Sequence, residues 1–474
     1  MMAIESPAYL IAYFRSGPMQ TNKNERLHYA YSRDGLHWYE LNQNHAVWST
    51  SIGEGILRDP FINKGKDGFW HLVFTIRPKG KFLGYAKSKD LITWQDEKAI
   101  EVMTNYHNVQ NSWAPEFSYD PEKEDYLLYW ASSVGEDMSH NKHYCCRTSD
   151  WNTFSETTLF FDPGFQTIDA SIEQWNGTNY MFVKDESAVY DSKKRPQPIA
   201  NKLAVSADLS GPYEVISDFI TPAYTEGPEI LKIENKQKWL LIYDYWKYGR
   251  FGIKESTNLV DWSDELDSTK YRFPYQIRHA TVFPLGEDEL FQLMNHFSLE
   301  AYYPTVFHSY VSLATHSSSG FMHNEFYMRS VSMWFKADTI VGTQVLYDEG
   351  GDKSGLGIRI KGGKLEAAVR SNGNQLTVSA ESLETNKWYN VIVVFNEGNL
   401  NLYIDGKLAE TNSFQSPFIE NHPNPGGLGA RFDTDAFGES AGKAIFNGIF
   451  RDCRIYTVPL QEEDVDYLFW TERR

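Results

Sequence analysis

Short apolar runs alternate with polar turns along residues 1–303 of the chain. The runs mix β-branched, aromatic and aliphatic residues, and Gly, Asp, Asn and Lys separate one run from the next. Runs of this length and composition between turn residues are typical of antiparallel β-strands. Four clear examples are FWHLVFT (69–75), YLLYWAS (126–132), TNYMFVK (178–184) and KWLLIYD (238–244).

Two series of short motifs repeat at nearly the same interval. The first series comprises the boxes RDPFI, SWAPEF, TIDASI, TEGPEI and RHATVF, with markers at positions 59, 114, 169, 226 and 279. These markers lie 55, 55, 57 and 53 residues apart. The second series, with steps of 56, 60, 58 and 50 residues, consists of Asp34, Asp90, Asp150, Asp208 and Asn258. Two independent periodicities of one length indicate five repeated supersecondary units.

The ends of the repeat array predict how it closes. His279 has no second-series partner downstream, and Asp34 has no first-series marker upstream. We therefore expect the N-terminal strands YLIAYF and LHYAYS to pair beside the strand that begins at His279. Such closure hides the unpaired edges of a ring of sheets. The prediction is a five-bladed β-propeller over residues 1–303.

The repeat ends near Tyr310, and a different strand pattern follows. Residues 328–470 alternate in short runs, including KWYNVIVVF and LNLYIDGKLAE, joined by turns such as Lys-Gly-Gly-Lys and Asp-Gly-Lys. Regularly spaced strands with such turns are typical of a β-sandwich. We predict an all-β chain with a second domain, a β-sandwich of the jelly-roll type, over residues 304–474.

Composition narrows the classes of function. A net charge of −18 argues against nucleic-acid binding, which needs a basic surface. No apolar run is long enough to span a membrane, and the start lacks a signal peptide. Either the chain is cytoplasmic or a leader has been removed, and of these we expect a periplasmic or secreted protein. The three cysteines, Cys145, Cys146 and Cys453, indicate neither a zinc site nor a disulfide framework. The oligomeric state is left open.

The two motif series predict different roles. Ser-x-Asp turns followed by Trp are explained by hairpin hydrogen bonds and packing between blades. A carboxylate in a buried inner strand has no such structural use, and burying it unpaired costs several kcal/mol. The acids Asp59, Asp169 and Glu226 are therefore candidates for chemistry. Trp113, beside the second marker, is a candidate for stacking on a sugar ring.

Each acid also has a structural alternative. Asp59 could pair with Arg58 or cap a turn, and Asp169 could accept hydrogen bonds from strand-end amides. Glu226 precedes Gly227-Pro228, where a sharp turn can aim a side chain at a ligand. Glu116 and Glu229 have a similar local appearance. Because alternate strand residues face opposite sides, Glu229 is expected to point away from Glu226.

The ordered motifs resemble glycoside hydrolase family 43, over about residues 1–300. The resemblance implies a catalytic base at Asp59, an acid at Glu226 and a pKa-modulating carboxylate at Asp169. WAPE at 113–116 and Arg278-His279 also look like the family pattern. In the endo-arabinanases of that family a fifth-blade His orders a central water or calcium, so the resemblance implies such a role for His279. Arg278 could bind sugar hydroxyls or balance the acids. The later strands resemble a laminin-G-like, concanavalin A-like domain.

Elementary chemistry explains why these residue types suit glycoside hydrolysis. The departing oxygen needs a proton and the anomeric carbon needs a nucleophile, which two carboxyls in different protonation states can supply. We expect ionised Asp59 to activate water, and a charged Asp169 to raise the pKa of Glu226. Inversion is expected if a water fits between base and sugar.

These features predict a glycosidase that acts on an oligosaccharide or polysaccharide. The expected product is L-arabinofuranose or D-xylose from plant material, formed without a required cofactor, although calcium near His279 is a candidate structural ion. A galactan-cleaving activity of the same family is one alternative. A non-catalytic carbohydrate-binding protein is the alternative from another class.

Overall fold

The structure is a computed structural model that describes residues 7–16, 24–187, 199–315 and 320–473. Strands make up 51% of it and helices 7%, so the all-β prediction is confirmed. The chain divides into two compact units between Leu293 and Met294. Among the described residues, no helix is both long and apolar enough to cross a membrane.

The first unit contains, in its described residues, five antiparallel sheets. The sheet that closes the array comprises β19 (Ile277–Leu285), β1 (Ala8–Arg15), β2 (His28–Ser32) and β3 (Tyr39–Glu40). The next comprises β4 (Arg58–Lys64), β5 (Trp70–Thr75), β6 (Phe82–Ser88) and β7 (Trp94–Glu101).

The other three sheets follow in chain order. One contains β8 (Trp113–Asp120), β9 (Asp125–Ser133), β10 (Asn141–Thr148) and β11 (Thr158–Phe161). Another contains β12 (Thr167–Trp175), β13 (Thr178–Asp185), β14 (Ala200–Ser206) and β15 (Glu214–Val215). The last contains β16 (Glu226–Lys232), β17 (Trp239–Tyr245) and β18 (Arg250–Ser256).

The inner strands of these sheets form a closed ring. β4 contacts β8, β8 contacts β12, β12 contacts β16, β16 contacts β19, and β19 contacts β4. The N-terminal strand β1 pairs with β19 on one side and with β2 on the other, so the predicted closure by the N-terminal strands is confirmed. This ring brings the starts of five distant chain segments to one end of the propeller axis.

The second motif series forms the hairpin turns predicted for it. Oδ1 of Asp34, Asp90 and Asp150 each accepts hydrogen bonds from two backbone N–H groups two and three residues ahead. Asn258 accepts the same pair, and Asp208 accepts one bond from Ser210 N–H. Short side-chain acceptors stabilise such turns by satisfying their free amides. These residues are structural.

The second unit is a sandwich of two six-stranded antiparallel sheets. One contains β20 (Leu299–Phe307), β31 (Gly448–Tyr456), β22 (Met328–Ala337), β27 (Trp388–Asn396), β28 (Asn399–Ile404) and β29 (Lys407–Ser413). The other contains β21 (Val311–Ala314), β30 (Gly426–Leu428), β23 (Thr343–Gly350), β24 (Gly355–Lys361), β25 (Lys364–Ser371) and β26 (Asn374–Ser382). Its core is built from inward-facing apolar residues such as Val391, Val393 and Ile358. The predicted sandwich is confirmed.

Helices are short and few in the described chain. The α-helices are α1 (Glu287–Phe297) and α2 (Glu462–Glu472), and the 3₁₀ segments are Leu41–Asn44, Ser268–Lys270 and Phe321–His323. The predicted division at residues 303 and 304 falls inside β20, which pairs with β31 of the sandwich.

Candidate active site

Each inner strand carries an irregularity near its start. The pairing register slips between Arg58 and Phe61, between Trp113 and Glu116, between Ile168 and Ser171, and between Glu226 and Glu229. On β19 the slip leaves His279 as the extra residue. A β-bulge bends its strand and redirects side chains, and bulges are frequent beside active sites. The repeat therefore places one bulge in every sheet at the same end of the ring.

The bulges hold the backbone in an unusual conformation. Asp59, Ala114 and Asp169 have φ values of 48°, 45° and 55°, and Gly227 has 53°. Left-handed backbone is unfavourable for residues with a Cβ, and such strain is concentrated at functional sites. Glycine at position 227 also leaves room for a neighbour, because a Cβ there would lie 2.9 Å from the His279 ring.

Asp59 lies at the bulge of β4 and is held as a carboxylate. Its Oδ2 accepts a 2.8 Å hydrogen bond from Thr75 Oγ1, and its Oδ1 lies 3.5 Å from His279 Nδ1. Burial alone would raise the pKa of Asp59. The His279 hydrogen bond and charge, with Arg58 and Thr75, outweigh burial and lower that pKa to about 2. The side chain keeps 18% of its surface exposed, so a ligand can reach it.

Glu226, the first residue of β16, is bound by two cations. Lys184 Nζ donates to its Oε2 at 2.7 Å, and Arg278 Nη2 donates to its Oε1 at 2.7 Å. Burial favours the neutral acid, but the charges of Lys184 and Arg278 lower the pKa of Glu226. The expectation that Asp169 raises this pKa is wrong, because the two ion pairs stabilise the carboxylate more than Asp169 destabilises it.

Asp169, at the bulge of β12, is the member of the group that favours a proton. Its side chain is almost fully buried, and its Oδ2 accepts a 3.1 Å bond from Gly227 N–H. Burial raises the pKa of Asp169 to about 7, and the nearby Glu226 and Asp59 charges add to burial. Asp169 and Glu226 are electrostatically linked, so the proton lost near that pKa belongs to the pair.

Arg278 and His279 supply positive charge from β19. Arg278 Nε donates to Asp244 Oδ2 at 2.6 Å while its Nη2 holds Glu226, so this guanidinium balances two acids. Burial lowers the pKa of His279, but Asp169 and Asp59 outweigh burial and raise it to about 9. His279 is therefore an imidazolium near neutral pH.

Glu116 and Glu229 form a deeper layer beneath the bulges. Glu226 and Glu229 pair with Asp244 and Ile242, which lie two residues apart and hence on one face of β17. The expectation that Glu229 points away from Glu226 is therefore wrong, because the extra bulge residue restores the shared face. Burial raises the pKa of Glu116 to about 7 and that of Glu229 well above its usual value.

One group among the described residues has the spacing of a metal site. Glu116, Glu229 and His279 each place a ligand atom within 4.8 Å of the others. The two carboxyls are hydrogen bonded to each other, and His279 is held as a cation by Asp59 and Asp169. Calcium prefers six to eight oxygen ligands. These three side chains supply fewer oxygens than calcium takes, and a calcium ion near His279 stays a prediction.

Trp113 begins β8, directly before the bulge at Ala114. Its indole Nε1 donates a 2.9 Å hydrogen bond to the Pro78 carbonyl, and the ring is partly exposed. The exposed part of the ring is available to a ligand. Contact with a sugar stays a prediction.

Three residues that contact the site were not recognised from sequence. Thr75, Lys184 and Asp244 lie on second strands, opposite Arg58, Ile168 and Glu226 across the bulges. A signal for them exists in the chain. The apolar runs FWHLVFT, TNYMFVK and KWLLIYD each end in one polar residue, and these residues are Thr75, Lys184 and Asp244.

Comparison with known families agrees with this arrangement. Residues 5–290 match the family model described as "Probable glycosyl hydrolase domain", which is related to glycoside hydrolase family 43. Residues 308–466 match the model of the concanavalin A-like lectin/glucanases superfamily. Both resemblances predicted from the sequence are confirmed.

Individual relatives are distant. The chain is 20% identical over 261 residues to an α-L-arabinofuranosidase of Bifidobacterium longum subsp. longum, a match that covers 44% of this chain and 24% of that protein. The chain thus spans a small part of that relative's length.

Two solved structures are also similar. A glycoside hydrolase family 43 protein from Bacillus licheniformis has 12% identity and a TM-score of 0.37, covering 96% of this chain and 95% of its own. Sucrose-6-phosphate hydrolase from Lactobacillus gasseri has 12% identity and a TM-score of 0.41, covering 85% and 90%. The first family match spans more than half of the sequence. The chain therefore belongs to the family of glycosyl hydrolase domains related to glycoside hydrolase family 43, joined here to a concanavalin A-like domain.

Proposed function

We propose that this protein is an inverting glycosidase that releases L-arabinofuranose or D-xylose from plant oligosaccharides or polysaccharides. The observation that carries the proposal is the meeting of Asp59, Asp169 and Glu226 around the shared cations Arg278 and His279. Three carboxyls from three sheets have different partners there, and such separation of protonation states is what acid and base catalysis requires.

Asp59 is assigned the role of general base. It is ionised at neutral pH, partly exposed, and oriented by Thr75 and His279. A carboxylate so held can accept a proton from a water that attacks the anomeric carbon. Thr75 and His279 fix the direction in which the free lone pairs of this carboxylate point.

Glu226 is assigned the role of general acid, with Asp169 as the carboxyl that keeps a proton in the pair. The proton is lost as the pH rises through about 7, the pKa of Asp169. Molecules in which that proton lies on Glu226 can protonate the departing oxygen. We therefore expect activity to fall as the pH rises through about 7, because the pair then has no proton to give.

The sugar is proposed from chemistry and from the relative. The α-L-arabinofuranosidase of Bifidobacterium longum supports arabinofuranose. The partly exposed Trp113 ring beside the Ala114 bulge supports a sugar that presents an apolar face. No cofactor takes part in this reaction. Calcium near His279 and a secreted or periplasmic location stay predictions.

The experiment is a panel of 4-nitrophenyl α-L-arabinofuranosides, β-D-xylosides and β-D-galactosides. Release of nitrophenol from an arabinofuranoside or xyloside supports the proposal, and ¹H NMR of the first-formed sugar should show the inverted anomer. Release only from galactosides would favour the galactan-cleaving alternative, and retention would contradict the role of Asp59 as base. No release together with measurable glycan binding would favour the non-catalytic alternative. Asp59→Asn is the control, since any contaminating glycosidase would survive it.

A further inference from the structure

Lys184 is a buried cation beside Glu226 that has no role in the proposed chemistry. It lies on β13, opposite Ile168 and beside the bulge of Asp169, with 3% of its side chain exposed. Its Nζ lies 2.7 Å from Glu226 Oε2 and 3.1 Å from Glu186 Oε1. Burial lowers the pKa of Lys184, but Glu226 and Glu186 outweigh burial and raise it. Lys184 is therefore charged and divided between two carboxylates.

The contact with Lys184 favours the carboxylate form of Glu226. Oε2 of Glu226 accepts from Lys184 and Oε1 accepts from Arg278. Protonation of either oxygen would remove the negative charge that both cations attract, so both ion pairs would weaken. Each cation has a second acid partner, Asp244 for Arg278 and Glu186 for Lys184. Both cations therefore compete with a proton for Glu226.

The charged groups around Glu226 come from four strands packed against it. β13 contributes Lys184, and β19 contributes Arg278 and His279. β12 contributes Asp169 and β17 contributes Asp244. Glu186, directly after β13, acts through Lys184. Glu186 also repels Glu226 directly, and its neutralisation leaves both hydrogen bonds to Glu226 in place.

We propose that Lys184 is a positioning residue that keeps Glu226 in the carboxylate form in the free protein, and that Glu186 weakens this hold by drawing Lys184 toward itself. The role rests on the glycosidase function proposed above. In this arrangement Lys184 leaves the shared proton on Asp169, and it limits the fraction of molecules in which Glu226 can act as an acid.

The direct test follows the ¹³C carboxyl signal of Glu226 with pH, in protein labelled at the glutamate carboxyl and without substrate. The signal is assigned by its loss in Glu226→Gln. Lys184→Met should move the Glu226 titration up by about 1 to 3 pH units, the usual effect of one close opposite charge. Glu186→Gln should move it down, because the variant removes a neighbouring negative charge and leaves Lys184 to Glu226 alone. An unchanged titration in Lys184→Met, or an upward shift in Glu186→Gln, would overturn the role.

Lys202→Met is the matched control. Lys202 lies on the adjacent strand β14 and pairs with Asp185 at 3.2 Å, so its loss removes a lysine from the same sheet without touching Glu226. The Glu226 signal should not move. If Lys184→Met does not fold, Glu186→Gln still tests the role, because an upward shift of the Glu226 titration in that variant contradicts it.

A second measurement links the role to catalysis. On the aryl glycoside that the wild type cleaves, the pH above which kcat/KM falls should be higher in Lys184→Met. Lys184→Arg should restore the wild-type value of this pH, the alkaline limb of the profile. A limb that does not move would contradict the role. Failure of every glycoside would reject the proposed function, whereas the NMR titration would still test the contact between Lys184 and Glu226.

Discussion

At the residue scale, the hydroxyl of Thr75 links the bulges at Asp59 and Ala114. Thr75 Oγ1 donates to Asp59 Oδ2 at 2.8 Å and accepts from Ala114 N–H at 2.9 Å. Because ionised Asp59 can only accept, the hydroxyl donates its one proton to Asp59 and accepts from Ala114 N–H on a lone pair. Thr75 thus orients the proposed base and satisfies the backbone of the neighbouring sheet.

Replacing Thr75 tests this arrangement. Thr75→Val keeps the shape but leaves the buried Ala114 N–H without its partner, which costs about 1 to 3 kcal/mol of unfolding free energy. The pKa of Asp59 should rise, since the lost bond favoured its carboxylate, and kcat/KM should fall. Thr75→Ser should retain both properties. Chemical unfolding and aryl glycoside kinetics provide the measurements, and wild-type activity in Thr75→Val would contradict the account.

The positions of the site acids could be predicted from the sequence, but their protonation states could not. The markers at positions 59, 169 and 226 were found because acids recur at one interval in buried strands. The protonation state of Glu226 could not be predicted from the sequence, because its partners Lys184 and Arg278 lie 42 and 52 residues away. The sign of a pKa shift depends on such long-range contacts, which a local motif does not contain.

At the element scale, the bulge explains why the acids share a site. The 55-residue repeat predicted that the inner strands are equivalent, but strand alternation placed Glu229 on the wrong face. One extra residue in β16 reverses the face on which the following residues lie. The sequence contains no clear signal for this bulge, so the change could not be predicted. The Gly-Pro after Glu226 marks this position only once the register is known.

Gly227 offers a test of the bulge in β16. Gly227→Ala would place a Cβ 2.9 Å from the His279 ring at a φ of 53°. We expect lower activity, together with a loss of about 1 to 2 kcal/mol for the left-handed backbone and a further loss from the contact.

Gly177→Ala is the matched control for that test. Gly177 lies in the turn after β12 with a φ of 74°, and nothing lies within 4 Å of its added Cβ. It should show the backbone cost alone and keep full activity. Equal effects of the two substitutions on activity and melting temperature would argue against a role for the contact with His279.

At the scale of the whole molecule, the first unit is an array of sheets closed by its own end strands. The unmatched first and last motifs predicted that closure, and β1 pairs with β19 as expected. The sandwich could also be predicted, because its alternation lacks the repeat. The division between the units could not be located to the residue, since strand β20 has the same composition as the strands of the propeller.

The buried charges of the propeller also predict how its stability depends on pH. Asp169 and His279 have folded-state pKa values of about 7 and about 9, above ordinary values of 3.8 and 6.5. A raised pKa stabilises the fold below the ordinary value, and this stabilisation is lost as the pH rises through the folded value. Asp169 contributes this loss between about pH 4 and 7 and His279 between about pH 6.5 and 9, so the melting temperature of the propeller should still fall between about pH 6.5 and 9.

His279→Gln should flatten this dependence above pH 7, because the imidazole no longer titrates. Calorimetry of the full chain at several pH values provides the measurement. A melting temperature that stays constant or rises over this range in the wild type would contradict the assigned charges.

The most direct measurement is the rate at which Glu226→Gln cleaves the preferred aryl glycoside, compared with an alkyl glycoside of the same sugar. If Asp59, Asp169 and Glu226 form one catalytic site, the variant loses about 10²- to 10⁴-fold on the alkyl glycoside, as removal of a general acid does. It should lose less on the 4-nitrophenyl glycoside, whose leaving group needs little protonation. Equal losses on both substrates, or wild-type rates on both, would show that Glu226 is not the acid.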